Sequence, residues 1–141
     1  GSTKKILKSG DVVISRLRSY LREIALVRTS PDVLAVGSSE FIVLRKNETC
    51  SMSPSTLSIF LRSSPVQTIL KWSQDGSQHP RFNDDDLLAI PVPNSLLSVS
   101  VEVDAMVEAA LRKRGKSAQL LGRAKKEVER VILRDRSTAL R

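Results

Sequence analysis

The chain contains few of the residues that carry out catalysis or bind metal ions. Among 141 residues it has one cysteine, Cys50, and one histidine, His79. A single cysteine excludes a disulfide within the chain and a cysteine-rich zinc site, and a catalytic thiol would have only one histidine as its base. We therefore expect a protein that is not an enzyme and that holds neither a metal ion nor a cofactor.

Long apolar runs and aromatic residues are also scarce. The sequence has no uninterrupted apolar run of the roughly 18 residues that a membrane span requires, and aromatic residues make up only 4% of it. Proteins that bind single-stranded nucleic acid depend on aromatic stacking surfaces, so this class of function is disfavoured. We expect no membrane partner and a cytoplasmic location.

Other catalytic patterns are incomplete. Pro31-Asp32 and Glu40 resemble the opening of a metal-dependent nuclease pattern, but position 42, where that pattern needs lysine, is Ile42. The three acids at 84–86 follow Asn83 and are explained more simply by the start of a helix. There is no Gly-rich phosphate loop. A nuclease is therefore disfavoured.

Positive charge is abundant. The chain has 23 Lys and Arg against 15 Asp and Glu, a net charge of +8. Such a balance favours a polyanionic partner, because Lys and Arg neutralise phosphates and release their counterions. The basic excess of the C-terminal part begins only at Arg112. The alternative interpretation of that part is an ordinary solvated helix surface.

The first two thirds of the sequence predict a small α+β or mixed α/β domain, with a small, twisted, mostly antiparallel sheet and flanking helices. Short β-branched segments indicate strands at residues 12–17, 23–27, 33–36, 41–44 and 88–90. Helices are expected to start at Ser53-Pro54 and at Ser63-Ser64-Pro65, and Asn83 suits a helix cap. In the second helix, Val66, Ile69 and Leu70 are predicted to face inward and Gln67 and Lys71 outward. We interpret Trp72 and Phe41 as aromatic residues of the core or as loop anchors.

Residues 97–141 are predicted to form a helical arm. Apolar and small residues recur there at alternating steps of four and three from Val103 through Leu121 to Val131, as in a coiled coil. Either one long helix or a hairpin broken near Gly115 fits this pattern. We favour the hairpin, because glycine costs about 1 kcal/mol inside a helix. The seam is expected to be buried against a second copy or against the other half of the hairpin.

A loop in the first domain carries groups that hydrogen-bond to base edges. The loop 73–81 combines two glutamines, His79 and Arg81 around the flexible Gly76, and glutamine and arginine pair bidentately with adenine and guanine. Arg16 and Arg18, two apart at the end of a strand, are expected to share one face and supply cations. The candidate DNA contacts are Arg16, Arg18, Ser73, Gln74, Gln78, His79 and Arg81.

The order of the segments resembles a known family. Gly-Ser-Ser-Glu-Phe-Ile-Val-Leu-Arg at 37–45, a helix, the polar loop and Asp-Leu-Leu-Ala-Ile-Pro-Val-Pro at 86–93 are similar to the latter part of a target recognition domain. Such domains occur in specificity subunits of type I restriction-modification systems and in related DNA methylases. The first part of such a domain and the Glu-Gln pair that commonly follows its Pro-x-Pro close are absent here.

The resemblance implies an organisation and a function. Residues 1–7 are taken as a tag or linker and the start of a fragment, 8–96 as a partial target-recognition-like domain and 97–141 as the helical arm. The implied function is sequence-specific recognition of double-stranded DNA, without catalysis, beside a DNA methyltransferase subunit or domain. A homodimer through the arm is a further expected partner. The alternative is a protein-docking module whose basic charge is incidental.

Overall fold

The computed structural model describes residues 3–76 and 78–139, with side chains in the last helix described as far as Arg134. The chain divides into two compact units, Gly1–Asp104 and Ala105–Arg141. A small antiparallel sheet structure flanked by helices and a long C-terminal helix confirm the predicted fold class.

Five short strands form two antiparallel sheets. They are β1 (Lys5–Leu7), β2 (Val12–Ser15), β3 (Ile24–Leu26), β4 (Ala35–Gly37) and β5 (Phe41–Leu44). β1 pairs with β4, and the other three form a sheet in the order β3–β2–β5. All residues of β2 are buried, which explains why this strand is apolar without alternation. β2 is therefore the central strand of the first unit.

Five helices follow the strands. They are α1 (Pro54–Arg62), α2 (Ser64–Trp72), α3 (Asp84–Leu88), α4 (Ser95–Ser98) and α5 (Ser100–Ala139). The Ser53 side chain caps α1 by accepting the Thr56 N–H at 3.0 Å. Asn83 and Asp86 form a reciprocal capping box at the start of α3. None of the described helices has the length and apolar character needed to cross a membrane.

The core of the first unit joins the three-stranded sheet to α1, α2 and α3. Leu70, Phe82, Val12 and Val66 are its most completely buried apolar side chains. Phe82 follows the polar loop directly, so the C-terminal end of that loop is anchored in the core. Burial of side chains of this size contributes about 1.5–3 kcal/mol each. The loop therefore projects from a fixed base.

Hydroxyl groups tie the first turn of α5 to the start of α1. Ser53 and Thr56 both donate to Asp104 Oδ1, the latter at 3.2 Å. The Thr56 and Ser100 hydroxyl oxygens lie 3.1 Å apart, and both residues are buried. These contacts lie within the first unit. They give hydrogen-bond partners to polar groups whose burial without partners would destabilise the fold.

Two strand predictions need correction. Lys5–Leu7, assigned to a tag or linker, is a strand because Ile6 pairs with Val36 and the Lys5 amine donates to the Phe41 carbonyl at 2.7 Å. Residues 88–90 are not a strand. The capping box sustains helix α3 to Leu88, and the Ala89 N–H still bonds back to the Asp85 carbonyl at 2.9 Å.

The predicted faces of α2 are also partly wrong. Gln67 is buried because its amide donates to the Leu61 carbonyl at 2.6 Å, satisfying the C-terminal end of α1. Ile69 is 40% exposed instead. Trp72, predicted to lie in the core or anchor a loop, is 80% exposed, since it falls at the last residue of α2.

The predicted hairpin at Gly115 is wrong, because α5 is one helix of 40 residues. It continues through both Gly115 and Gly122. A cost of about 1 kcal/mol for each glycine is small beside the many Ala, Leu, Lys, Arg and Glu residues around them, which favour helix. The apolar seam therefore does not fold back on itself, and Leu121 is 69% and Val128 59% exposed.

Candidate nucleic-acid interface

One end of the three-stranded sheet collects most of the predicted DNA contacts. β2 ends at Ser15, which pairs with Phe41 at the start of β5, and the Arg16 N–H donates to the Glu40 carbonyl at 3.0 Å. We call this the Arg16 end of the sheet. At the opposite end, Val12 pairs with Leu44, and Lys46 follows shortly after. Lys46 thus provides a cation remote along the sheet from Arg16.

Backbone hydrogen bonds hold both ends of the loop 73–81 at the Arg16 end. Asp75 and Arg81 exchange two backbone hydrogen bonds of 2.9 Å, which close the loop. Gly76 has φ +97°, a conformation that favours glycine. The Arg18 N–H donates to the Pro80 carbonyl at 3.0 Å, and the Phe82 N–H to the Arg16 carbonyl at 3.3 Å. The structure therefore brings the loop beside Arg16 and Arg18.

Arg16 and Arg18 are nevertheless not alternate residues of one strand, and that prediction is wrong. β2 stops at Ser15, and Arg18 has φ 52°, in the left-handed region. Two-residue alternation holds only along an extended strand, so it does not apply here. Arg18 instead begins a 3-10 turn over Ser19–Leu21 that ends at Arg22, which also has φ 52°.

Arg16 is already engaged by a carboxylate. Its Nη2 atom lies 2.9 Å from Asp84 Oδ1, at the start of α3. The Arg16 Nε atom is buried and has no hydrogen-bond partner among the described residues. Arg16 thus links β2 to α3, and its charge is balanced before any ligand arrives.

Arg81 is engaged in the same way. Its Nε and Nη2 atoms donate to the two Glu40 carboxylate oxygens, each at 3.0 Å, and Nη1 donates to the His79 carbonyl at 3.1 Å. The hydrogen bonds from Arg81 hold the pKa of Glu40 below its ordinary value. Arg81 therefore holds the loop to the sheet as well as carrying charge.

Of the remaining predicted DNA contacts, some hold the fold together and others are accessible to a ligand. The Ser73 hydroxyl donates to the Ile69 carbonyl at 3.1 Å and so caps α2. Gln74 is half-buried, and its Nε2 atom has no partner among the described residues. Gln78 and His79 are exposed, and Arg18 is half-buried. Arg18, Gln78 and His79 are the members best placed to meet a ligand.

An exposed apolar pair, which the sequence did not indicate, lies beside these groups. Tyr20 is 59% and Leu21 51% exposed on the 3-10 turn between Arg18 and Arg22. This turn packs against α2, the helix that ends at Trp72. Two arginines in the left-handed region are not signalled by the sequence, because that conformation normally favours Gly, Asn or Asp.

A cavity at the opposite end of the sheet, beside Leu44 and Lys46, is poor in reactive groups. Its volume is about 410 Å³, and aliphatic side chains such as Val12, Leu44, Leu61 and Leu87 line most of it. Cys50 lies at this cavity and is exposed. Across the described part of the chain, no group of three or more His, Cys, Asp and Glu residues is placed to hold a metal ion.

The side chains at the Arg16 end can donate and accept hydrogen bonds from a loop whose two ends are held by backbone hydrogen bonds. Gln78 provides an amide and His79 an imidazole, while Arg18 supplies a cation nearby. These are the functional groups that read base edges and hold phosphates in protein–DNA complexes. No protein-family model and no curated protein matches this chain.

Proposed function

We propose that the first unit reads the sequence of double-stranded DNA through the Arg16 end of its sheet. Gln78 and His79 would contact base edges in the major groove, and Arg18 would contact a phosphate. The unit would perform no chemistry, and specificity would come from hydrogen bonds whose geometry the fold fixes beforehand.

One observation carries this proposal. The exposed Gln78 and His79 lie on a loop that is closed by the Asp75–Arg81 hydrogen bonds and joined to the Arg18 backbone at 3.0 Å. Side chains that read bases need a backbone that does not move away when they bind, because ordering a mobile loop costs affinity. Polar groups on a loop held at both ends satisfy this condition.

The larger setting follows from the resemblance to target recognition domains. We propose that the chain is part of the specificity component of a type I-like restriction-modification or DNA methylation system in the cytoplasm. It would bring a methyltransferase subunit or domain to its target sequence. The exposed apolar seam of α5, with Leu121, Val128 and Val131, would bind that subunit or a second copy.

A second candidate function rests on the same seam. The seam residues Leu121, Val128 and Val131, with Ile132 beside them, are each exposed by 48% or more. Such a surface fits a module that docks a protein partner through helix–helix packing, with no role for DNA. Binding to duplex DNA separates the two candidates.

The test is a selection of duplexes from a random-sequence library with the full chain, followed by titration of the enriched duplex. We expect Gln78→Ala to relax the preference at one base position, by about 1–3 kcal/mol of discrimination. Arg18→Ala should weaken binding to all duplexes alike and reduce the slope of log K against log salt by about one unit.

Lys46→Ala is the matched control for Arg18→Ala. It removes one exposed cation at the opposite end of the sheet, so it should leave the salt slope nearly unchanged. Failure to enrich any sequence, with no duplex binding at low salt, would favour the protein-docking function. Equal effects of the Arg18 and Lys46 variants would place the phosphate contact elsewhere.

A further inference from the structure

The positive charge of the chain is concentrated in its second unit. Residues 1–104 contain 12 Lys and Arg against 11 Asp and Glu, so the first unit is nearly neutral. Residues 105–141 contain 11 against 4 and carry +7 of the total +8. The proposed reading surface therefore contributes little to long-range attraction of a polyanion, and α5 contributes most of it.

Six of these cations lie on one face of α5. Successive spacings of 4, 7, 3, 4 and 4 residues place them within about a quarter of the helix circumference, since each residue turns the helix by roughly 100°. We call these residues the basic stripe. They are Arg112, Lys116, Arg123, Lys126, Arg130 and Arg134, and all are exposed.

The stripe contains no acidic residue between its two ends. Glu127 lies at its edge and pairs with Arg130, with Nη2 and Oε1 2.5 Å apart. The residue that shares the face between Lys116 and Arg123 is the neutral Gln119. Lys116, Arg123 and Lys126 form no ion pair with the described residues. The field of these three cations is therefore directed to solvent.

The opposite face of α5 is the apolar seam with Leu121 and Val128. A helix of this kind can bind a partner through its seam and keep the stripe accessible. The stripe extends about 33 Å along the helix axis. A linear array of cations on a rigid rod matches a repeating polyanion better than it matches a compact one.

We propose that the basic stripe of α5 is a sequence-independent binding site for the phosphate backbone of duplex DNA. This site is separate from the loop 73–81 and does not require the loop to read bases. A lipid surface is the less favoured ligand. Helices that lie in membranes usually carry aromatic residues on the apolar face, and α5 has none, while Arg114 interrupts its seam.

The experiment compares two triple variants of the full chain with the same change in net charge. Lys116→Gln, Arg123→Gln and Lys126→Gln remove cations from the stripe. Lys113→Gln, Arg114→Gln and Lys125→Gln remove cations of α5 that lie off it. Glutamine preserves helix propensity, and circular dichroism checks that both variants remain helical. Each protein is titrated with a random-sequence 30-base-pair duplex over a range of salt concentrations.

We expect the stripe variant to lose roughly tenfold or more in affinity at about 0.1 M salt. Its salt slope should fall by roughly two units, because each neutralised phosphate contributes about 0.9. The off-stripe variant should change the slope by less than one unit. Equal losses in the two variants would show that only net charge matters and would overturn the proposal, as would an unchanged slope in both.

A second probe tests the alternative surface. Vesicles of phosphatidylserine and phosphatidylcholine should bind the chain weakly, and binding to vesicles without binding to duplex would overturn the proposal. The sequence preference of the stripe variant should equal that of the unchanged chain. If the stripe variant binds duplex as tightly as the unchanged chain while sequence preference is retained, only the stripe is refuted. If the unchanged chain shows no sequence preference while the stripe variant loses affinity, only the reading of bases is refuted.

Discussion

Arg81 and Glu40 form a two-pronged ion pair, with both hydrogen bonds at 3.0 Å. The pair joins the last residue of the polar loop to the residue before β5. Both side chains are more than one third exposed, so solvent screening leaves the pair little effect on stability. Its main effects are to orient the loop and to neutralise a guanidinium that would otherwise meet a phosphate or guanine.

Glu40→Gln should therefore increase affinity for duplex DNA. The change releases Arg81 for a phosphate and should add about one unit to the salt slope, with less than about 1 kcal/mol change in unfolding free energy. Glu48→Gln is the control, because it removes an exposed acid beyond the opposite end of the sheet. Unchanged or weaker binding of the Glu40 variant, measured by salt titration, would contradict a role for Arg81 in contacting DNA.

The Asp11–Arg45 pair should make stability depend on acid pH. Arg45 donates two hydrogen bonds of 2.7 Å to the buried Asp11 carboxylate and lowers its pKa below the ordinary value of 3.8. Because the folded-state pKa is depressed, this stabilisation is complete above about pH 5 and is lost as pH falls through the folded-state pKa.

Asp11→Asn should cost about 1–3 kcal/mol at pH 7, because the Asp11 carboxylate also accepts the Lys8 N–H. The difference in unfolding free energy between Asp11→Asn and the unchanged chain should decrease as pH falls below 4. Urea unfolding at several pH values measures it. Asp32→Asn, at an exposed turn, is the control, and its difference in unfolding free energy from the unchanged chain should not decrease in acid. If the difference for Asp11→Asn increases in acid, the Asp11–Arg45 pair does not stabilise the fold as described.

The protein should be more stable with glycine than with alanine at position 22. Its φ of 52° lies in the left-handed region, which costs about 1–2 kcal/mol for a residue with a Cβ atom. We expect Arg22→Gly to exceed Arg22→Ala in unfolding free energy by about 1 kcal/mol. At Lys71, within helix α2, the alanine variant should instead be more stable than the glycine variant by a similar amount. If the same variant is the more stable one at both positions, Arg22 is not in the left-handed conformation.

The seam of α5 should mediate self-association. Leu121→Asp combined with Val128→Asp places two charges on exposed apolar positions and should convert a dimer to a monomer in sedimentation equilibrium, without disturbing the strands of the first unit. Gln119→Asp puts an acid on the basic stripe side and should leave the dimer intact. If the unchanged chain is monomeric at all concentrations, the seam does not bind a second copy.

Local patterns in the sequence were sufficient for most of the elements in the first unit. The apolar segment of β2 and the Ser53 and Asn83 caps each act through neighbours within a few residues. Such signals are visible without knowledge of the fold.

The errors occurred where a distant group decides the outcome. Gln67 is buried because the Leu61 carbonyl needs a donor, and Lys5–Leu7 is a strand because β4 is available to pair with it. At the candidate site, the sequence showed Arg16 and Arg81 as free cations. It did not show that Asp84 and Glu40, distant in sequence, balance them. Ion pairing across the fold therefore shifts attention to Arg18, Gln78 and His79.

The hydroxyl contacts between α1 and the start of α5 have a consequence for limited proteolysis. No Lys or Arg lies between Arg81 and Arg112, so trypsin acting on the exposed part of α5 cannot remove Ser100 or Asp104. A product that ends at Arg112 keeps the carboxylate that accepts from Ser53 and Thr56. A gene truncated after Ser98 would instead leave the buried Thr56 hydroxyl without these acceptors. The protease-resistant core is therefore a better guide to an independently folding piece than the Pro-x-Pro segment at 91–93.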